Sequence, residues 1–224
     1  MKTFVLQEQH LDANQLFTIV MSASISSLRL TTADEVIQCF TFSDRVCADD
    51  LPLALEYSSS WSQHIVLREW VTIPTFCEFR GFVVGNKLTA VSQYFSGAYF
   101  PELPPLKERL LHLLEEFFET IRDLVGLNPS DYVLDLAVDL TLSRVFVIEI
   151  NPFGPPDGMG TGTPLFSLSD PNDRAILFGE VHQPTVLRIV QQKLETVEGV
   201  LRDGPLRQWL EREGLLAQVL LTKQ

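Results

Sequence analysis

Residues 131–154 read Asp131-Tyr-Val-Leu-Asp135-Leu-Ala-Val-Asp139-Leu-Thr-Leu-Ser-Arg144-Val-Phe-Val-Ile-Glu149-Ile-Asn151-Pro-Phe-Gly154. Two runs rich in β-branched and apolar residues, 132–140 and 145–150, flank a polar turn at 141–144. This composition is typical of two adjacent strands joined by a tight turn. The stretch therefore predicts a β-hairpin with buried strands.

Three oxygen-bearing side chains interrupt these apolar strands: Asp135 on the first, and Glu149 and Asn151 on the second. Glu149 and Asn151 are two residues apart, so they project from the same face of an extended strand. If the hairpin pairs in register, Asp135 lies opposite them, and its burial is costly unless a cation neutralises it. Oxygen ligands of this kind suit Mg²⁺, which shares its remaining positions with water and phosphate oxygens. The set predicts a magnesium-nucleotide site.

A second interpretation of the same residues needs no ligand. Asp135 and Glu149 would then be solvated ends of an edge strand, and Asn151-Pro152 would be a turn, since such residues commonly flank hairpins. Asp139 lies close to the turn and is a weaker candidate for a metal ligand. The spacing alone leaves both interpretations open.

The composition of the 224-residue chain narrows the class of protein. A hydrophobic content of 46% with 15 phenylalanines supports one folded domain, or two small lobes that share a core. The net charge of −12 is opposite to that of a nucleic-acid-binding surface and favours protein partners. The three cysteines form no C-x-x-C pair, which argues against a zinc site and fits a reducing cytoplasm. No apolar run is long enough to predict a membrane span or a secretory signal.

Strands and one helix are predicted before the middle of the chain. Residues 16–21 and 28–30 have the composition of strands, with a small-residue loop at 22–27 between them. Such a loop either wraps phosphates with its backbone N–H groups or is a flexible turn. A Thr-Thr pair at 31–32, followed by acidic residues, predicts a helix that ends at about residue 40.

Three further strands are predicted, at residues 64–71, 77–84 and 87–93. A Gly85-Asn86 pair joins the last two and is a good hairpin signal. Glu78 and Arg80 share one face of their strand, because they are two residues apart. They either form a cross-strand ion pair on a wet face of the sheet, or Arg80 reaches a phosphate group with its planar guanidinium.

The remaining apolar periodicity is helical. Residues 106–125 predict a long core helix, because leucine and phenylalanine recur at helical spacing. The tail from residue 185 predicts two helices separated at Gly204-Pro205. On this pattern the chain divides into a domain at 1–180 and a C-terminal helical extension at 181–224.

The order of these elements resembles that of the ATP-grasp superfamily, and within it the chain is most similar to the cell division cycle protein 123 family. That family carries Leu-Arg-x-Trp, a Pro-containing connector, Glu-Phe-Arg, Ser-Gln and an acidic-x-Asn-Pro-Phe-Gly strand. Here the matching stretches follow in the same order, at residues 67–70, 74, 78–80, 92–93 and 149–154. The resemblance spans about residues 26–155 and rests on the combination of motifs.

The resemblance implies a set of ligands and their residues. It implies ATP and Mg²⁺ as cofactors, with the metal held by Asp135, Glu149 and Asn151. It assigns the adenine ring and the rest of the nucleotide to Arg68, Glu69, Trp70, Val71, Glu78 and Arg80. Within that group, residues 68–71 form the hinge whose backbone meets adenine, and Arg80 lies near the phosphates. The implied fold is α+β and ATP-grasp-like, with two small α+β lobes, mostly antiparallel sheets and a C-terminal helical extension.

The same resemblance implies an assembly chaperone for translation initiation factor 2, acting on its gamma subunit. Two alternatives stay open: an ATP-dependent ligase that forms an acylphosphate or adenylate, including an RNA ligase, or a degenerate nucleotide-binding interaction module. Residues 16–27 contain no lysine or arginine, although ATP-grasp proteins usually place a phosphate-binding lysine before this loop, and Lys2 is the remaining candidate. The family's Arg-Asp after Ser-Gln is Tyr94-Phe95 here. These departures concern the hydrolysis or transfer of the ATP phosphates more than they concern the binding of ATP, because phosphoryl transfer depends on stabilisation of charge.

Overall fold

The computed structural model describes residues 12–60, 64–125, 131–153 and 165–193, together with residue 211. The chain divides into two compact units. The first, here called the sheet unit, comprises Met1–Val20 and Thr72–Gln224. The second, the helical unit, comprises Met21–Val71. In the part of the chain that is described, no helix is both long and apolar enough to cross a membrane.

A five-stranded sheet forms the centre of the sheet unit. Its strands are β1 (Glu78–Val84), β2 (Lys87–Gln93), β3 (Tyr132–Val138), β4 (Val145–Pro152) and β5 (Val186–Arg188). They lie in the order β4-β3-β1-β2-β5, and every neighbouring pair is antiparallel except β2 and β5. The architecture is therefore mixed α+β with one sheet, and the described residues of the helical unit contain no strand.

Both hairpins predicted from the sequence are confirmed, but the prediction that both strands of the second are buried holds only for β3. Strand β4 lies at the edge of the sheet, its residues are half-buried or exposed, and Glu149 is exposed. Gly85 and Asn86 connect β1 to β2 with φ angles of +56° and +60°, a left-handed conformation that glycine and asparagine tolerate. The backbone N–H of Gly85 donates a 2.8 Å hydrogen bond to Asp131 Oδ1, which links this turn to the start of β3. Strands β3 and β4 pair with Asp135 opposite Glu149, as the predicted register requires.

Among the described residues, five α-helices have defined bounds: α1 (Ala13–Ser27), α2 (Ala33–Thr41), α3 (Leu51–Glu56), α4 (Leu103–Val125) and α5 (Pro171–Leu177). Helix α4 confirms the predicted core helix and buries Leu110, Leu114 and Phe118. It begins three residues earlier than predicted, because two prolines fit in the first turn of a helix. The N–H groups of that turn have no acceptor within the helix, so a proline, which lacks an N–H, loses no helical hydrogen bond there. Helix α2 has the predicted N-terminus, a capping box formed by Thr32 and Glu35.

One face of the sheet combines an apolar and a polar half. Phe82, Ala90 and Val133 on this face form a buried cluster with Phe153, Phe166 and Leu177. Side chains two residues apart on a strand share a face. The same face therefore also carries the residues two positions away on these three strands, which are Arg80, Ser92 and Asp135. The predicted site residues therefore border a closed hydrophobic core.

The prediction of strand, loop and strand at residues 16–30 is wrong, since α1 covers most of this stretch. Long-range contacts within the sheet unit hold the start of α1. Asn14 Nδ2 donates to the carbonyl of Tyr99 at 2.8 Å, and the Tyr99 N–H donates back to Asn14 Oδ1 at 2.7 Å. Phe17 packs so closely on Gly97 that a Cβ there would lie 2.9 Å from the ring. These contacts outweigh the modest helix propensity of β-branched residues and serine.

Two other predictions differ from the structure. The strand predicted at residues 64–71 has no regular secondary structure in the described residues. The helix predicted from residue 185 is replaced at its start by β5, in which Leu187 is buried and is followed two residues later by buried Ile189. That spacing is the period of a strand. Residues 194–210 and 212–224, with most of the predicted tail helices, lie outside the described residues, and the boundary at residue 180 stays a prediction.

Candidate functional site

A row of polar residues crosses four neighbouring strands on one face of the sheet. Backbone pairing sets Glu149 on β4 opposite Asp135 on β3, Asp135 opposite Arg80 on β1, and Arg80 opposite Ser92 on β2. Directly opposed residues of a sheet point to the same face and are close enough to interact. The fold thus brings three of the predicted site residues together, although they are separated by 55 and 14 positions in sequence.

Arg80 and Asp135 form the central contact of this row. Arg80 Nε donates to Asp135 Oδ1 and Arg80 Nη2 donates to Asp135 Oδ2, both at 2.8 Å. The two side chains are 13% and 1% exposed, so the pair is largely removed from water. The guanidinium carbon lies 5.1 Å from the centroid of the Tyr94 ring, a distance that permits a cation–π contact. The hydrogen bond to Asp135 raises the pKa of Arg80, which therefore stays charged.

Asn151 joins the two carboxylates of the row. Its Nδ2 donates to Glu149 Oε1 at 3.0 Å and lies 3.5 Å from Asp135 Oδ2. Two carboxylates and one amide therefore converge, and this set of donors fits Mg²⁺, which prefers a few hard oxygen ligands completed by water or phosphate. The amide nitrogen now faces the carboxylates, so a metal would require the amide oxygen to turn inward. No cluster of three or more His, Cys, Asp or Glu side chains suited to a metal occurs among the described residues.

The site holds more acidic groups than one arginine can pair with, and Asp135 is the buried carboxylate among them. Burial, and secondarily the charge of Asp135, raises the pKa of Glu78 to about 7. Burial also raises the pKa of Asp135, although the hydrogen bond from Arg80 opposes the shift. Burial raises the pKa of Tyr94 as well, and Asp135 adds to that effect. A bound cation would favour the ionised form of each of these groups, so the electrostatics suit a positively charged ligand.

The residues assigned to adenine lie in the helical unit. Arg68, Glu69 and Trp70 are exposed and Val71 is half-buried, all in a segment without regular secondary structure. Glu78, Arg80, Asp135, Glu149 and Asn151 belong to the sheet unit. The role of residues 68–71 in nucleotide binding therefore stays a prediction.

Asp139, the weaker candidate, has a structural role. Its Oδ1 accepts hydrogen bonds from the backbone N–H groups of Ser143 and Arg144 at 2.9 and 3.1 Å. Its Oδ2 accepts one from the Thr141 hydroxyl at 2.9 Å. These bonds, that of Ser143 first, hold the pKa of Asp139 far below its usual range. The carboxylate shapes the turn between β3 and β4 and is already occupied there.

Sequence reasoning did not assign Tyr94 to the site. The Tyr94 N–H donates to the carbonyl of Glu78 at 3.0 Å, so the pairing of β1 with β2 extends by one residue and sets Tyr94 beside Arg80. The signal available in the sequence was the hairpin register counted from Gly85-Asn86. That count fails without knowledge of the irregularity at Phe82/Val83, which shifts the later pairs by one residue.

Comparison with known proteins gives a consistent result. A family model described as D123 matches residues 18–199. The translation initiation factor eIF2 assembly protein of Xenopus laevis is 30% identical over 139 residues, which are 58% of this chain and 39% of that protein. Cell division cycle protein 123 of Eremothecium gossypii is 28% identical over 131 residues, which are 57% and 36% of the two chains.

A solved structure shares the same fold. The structure of Cdc123 from Schizosaccharomyces pombe aligns with a TM-score of 0.55 and 26% identity, over 75% of this chain and 65% of that one. The chain spans about two fifths of the length of the curated relatives it matches. The comparisons therefore concern a shared part of those proteins.

Proposed function

The chain belongs to the D123 family, and from this premise we propose that it binds Mg-ATP and acts in the cytoplasm as an assembly chaperone for translation initiation factor 2. Relatives in Xenopus laevis and Xenopus tropicalis are named translation initiation factor eIF2 assembly protein. The resemblance of the motifs extends the proposal to the gamma subunit as the partner. A net charge of −12 favours a protein partner with a basic surface.

The observation that carries the nucleotide half of the proposal is the row of Arg80, Asp135 and Glu149 on one face of the sheet. Asp135, Glu149 and Asn151 would hold Mg²⁺, and Arg80 would bind phosphate oxygens with its two parallel N–H donors. Residues 68–71 would offer backbone groups to the adenine ring.

Each residue of the site has a defined task in this scheme. Bound Mg²⁺ would supply positive charge to the triphosphate, to the buried Asp135 and to the exposed Glu149. Arg80 would orient the phosphate chain, and its guanidinium contacts the face of the Tyr94 ring. Asn151 keeps Glu149 directed towards Asp135 through its 3.0 Å hydrogen bond. Glu78 lies on the same strand as Arg80, and its neutral form at low pH reduces repulsion among the carboxylates.

Calorimetric titration of ATP, with and without Mg²⁺, tests the nucleotide half. We expect the wild-type protein to bind ATP only with Mg²⁺, and the double variant Asp135→Ala/Glu149→Ala to lose this binding. The matched control is Glu108→Ala/Glu116→Ala, which removes two exposed carboxylates from α4. Absence of binding to the wild-type protein would overturn the proposed nucleotide site.

A binding assay with purified subunits of translation initiation factor 2 tests the partner half. We expect the gamma subunit to bind, with an affinity that decreases as the salt concentration rises, because opposite charges steer the association. Equal binding to an unrelated basic protein of the same size would contradict a specific partner. Release of ADP in the presence of candidate acids and amines would instead support a ligase.

A further inference from the structure

Arg80 binds the carboxylate of Asp135, which the proposed Mg²⁺ also needs as a ligand. Its guanidinium contacts both oxygens of Asp135 at 2.8 Å, in a bidentate pair whose acid is 1% exposed. The Asn151 amide nitrogen takes the equivalent position at Glu149 Oε1. The proposed metal site is thus filled by the protein's own donors, and a cation that enters it must compete with them.

We propose that Arg80 is an exchangeable occupant of the metal site, bound to Asp135 in the absence of nucleotide and transferred to the phosphates when Mg-ATP binds. The inference rests on the proposed nucleotide site and concerns the order of events there. Divalent cation and nucleotide then bind together, and the cation alone binds weakly.

Electrostatics gives the reason for the exchange. A divalent cation at Asp135 would stand beside a guanidinium that shares the same buried carboxylate, and like charges repel strongly where water is scarce. Arg80 cannot relieve this repulsion by losing its proton, because arginine stays protonated in proteins. It must therefore move, and moving without a new partner would leave a charge unpaired.

The triphosphate supplies the new partner. Its oxygens offer the same planar, bidentate geometry that Asp135 offers to the guanidinium. The metal then compensates Asp135 and Glu149, while the nucleotide compensates Arg80, so the guanidinium and the buried Asp135 each have a partner of opposite charge before and after the exchange. Contact with the Tyr94 ring, at 5.1 Å from the guanidinium carbon, adds a favourable surface that does not depend on Asp135.

The test measures Mn²⁺ binding without nucleotide, by the loss of the free-ion signal in electron paramagnetic resonance at pH 8. We expect Arg80→Gln to bind Mn²⁺ about tenfold more tightly than the wild-type protein, because a competing charge is removed. The same variant is expected to bind Mg-ATP at least about tenfold more weakly, because a phosphate ligand is lost. Opposite changes for the two ligands distinguish an exchangeable occupant from a general loss of structure.

Two controls accompany this variant. Arg144→Gln removes a guanidinium that pairs with Asp139 outside the site, and it should leave both affinities unchanged. Adding Asp135→Asn to Arg80→Gln should abolish the gain in Mn²⁺ binding, since the gained ligand is that carboxylate. Arg80→Lys keeps a positive charge without the planar fork, and we expect a smaller gain in Mn²⁺ affinity than in Arg80→Gln.

A measurement on the wild-type protein covers the case in which Arg80→Gln does not fold. The Arg80 Nε–H resonance, identified by its absence in Arg80→Lys, should shift with Mg-ATP and stay unchanged with Mg²⁺ alone. Wild-type binding of Mg-ATP without any such shift, or variants with equal or weaker Mn²⁺ affinity, would overturn the exchange and leave the nucleotide site intact. Failure of the wild-type protein to bind Mg-ATP would overturn the proposed function itself.

Discussion

Burial raises the pKa of both Glu78 and Asp135, and the groups beside the two carboxyls differ. Asp135 has a guanidinium beside it, which offsets much of the cost of its burial. Glu78 is affected by burial first and by the negative charge of Asp135 second, and together they raise its pKa to about 7. The two acids therefore respond differently to pH.

Replacing Glu78 with glutamine should remove one source of pH dependence. The folded protein keeps the Glu78 proton up to about pH 7, whereas the unfolded chain releases it near pH 4.3. Since the folded state binds more protons in this window, the stability of the wild-type protein falls as pH rises through it. We expect Glu78→Gln to match the wild type at pH 4 and to be about 1–3 kcal/mol more stable at pH 8. Urea unfolding measures both.

The matched control for Glu78→Gln is Glu108→Gln, an exposed position on α4. Its stability relative to the wild type should not change between pH 4 and pH 8. A Glu78→Gln variant whose difference from the wild type is the same at both pH values would contradict the assigned cause.

Asp139 should show the opposite dependence. Its pKa in the folded state lies far below the value near 3.9 of an unfolded chain, so its contribution is present above pH 4 and is lost as the solution becomes more acidic. We expect Asp139→Asn to be less stable than the wild type at pH 7, with a gap that narrows below about pH 4. Urea midpoints at pH 7 and pH 3 measure the gap. Asp44→Asn, an exposed position, is the comparison variant.

At the level of the elements, both hairpins contain a register shift that aligns the polar row. Each contains an irregularity, between Phe82 and Val83 in the β1–β2 pair and between Asp135 and Leu136 in the β3–β4 pair. Without these shifts of one residue, Arg80 would face Val91 and Asp135 would face Ile148. A one-residue shift exchanges the two faces of a strand. Such bulges are common next to functional sites, where they redirect side chains.

Buried Gln93 connects three segments at the end of β2. Its Nε2 donates to the carbonyls of Phe95 and Ala98 at 2.7 and 2.6 Å, and its Oε1 accepts from the Val190 N–H at 3.0 Å. We expect Gln93→Leu to lower the free energy of unfolding by about 2–5 kcal/mol, since it removes three hydrogen bonds, among them those to the Ala98 carbonyl and the Val190 N–H. Chemical unfolding measures the loss. Gln183→Leu at an exposed position should cost less than about 0.5 kcal/mol.

The sequence predicts elements well where one periodicity dominates. The hairpin at 132–150 and helix α4 follow from local pattern, because β-branched runs and a long amphipathic repeat each allow a single interpretation. Helix α1 and strand β5 do not follow from it. Contacts of Asn14 with Tyr99 stabilise α1, and parallel pairing with β2 stabilises β5. In both cases the partner lies far away in the sequence.

For the candidate site, the sequence predicts the juxtaposition of Asp135 and Glu149 and identifies Arg80. It does not reveal that Arg80 binds Asp135, because that contact joins strands of two different hairpins. It also left two alternatives for Glu78 and Arg80. The structure shows a cross-strand ion pair for Arg80, and that pair is buried rather than on a wet face.

The molecule as a whole carries a charge of −12, and this charge should make its stability depend on salt. Mutual repulsion of surface carboxylates opposes the compact state and is screened at higher ionic strength. We expect the free energy of unfolding to rise by about 1 kcal/mol, and Tm by about 2–4 °C, between 20 and 300 mM KCl. Calorimetric melting curves measure the shift. A lower Tm at high salt would indicate that attractive surface pairs dominate.

The late position of β5 has a consequence for biosynthesis. Val190, whose N–H completes the hydrogen bonds of Gln93, follows it by 97 residues. At about 5–20 residues per second, a ribosome makes Gln93 roughly 5–20 s before it makes Val190. During that interval the edge of β2 and the amide oxygen of Gln93 have to be protected by water or by a chaperone. A pause in translation before residue 186 would prolong this exposed state, and a faster passage would shorten it.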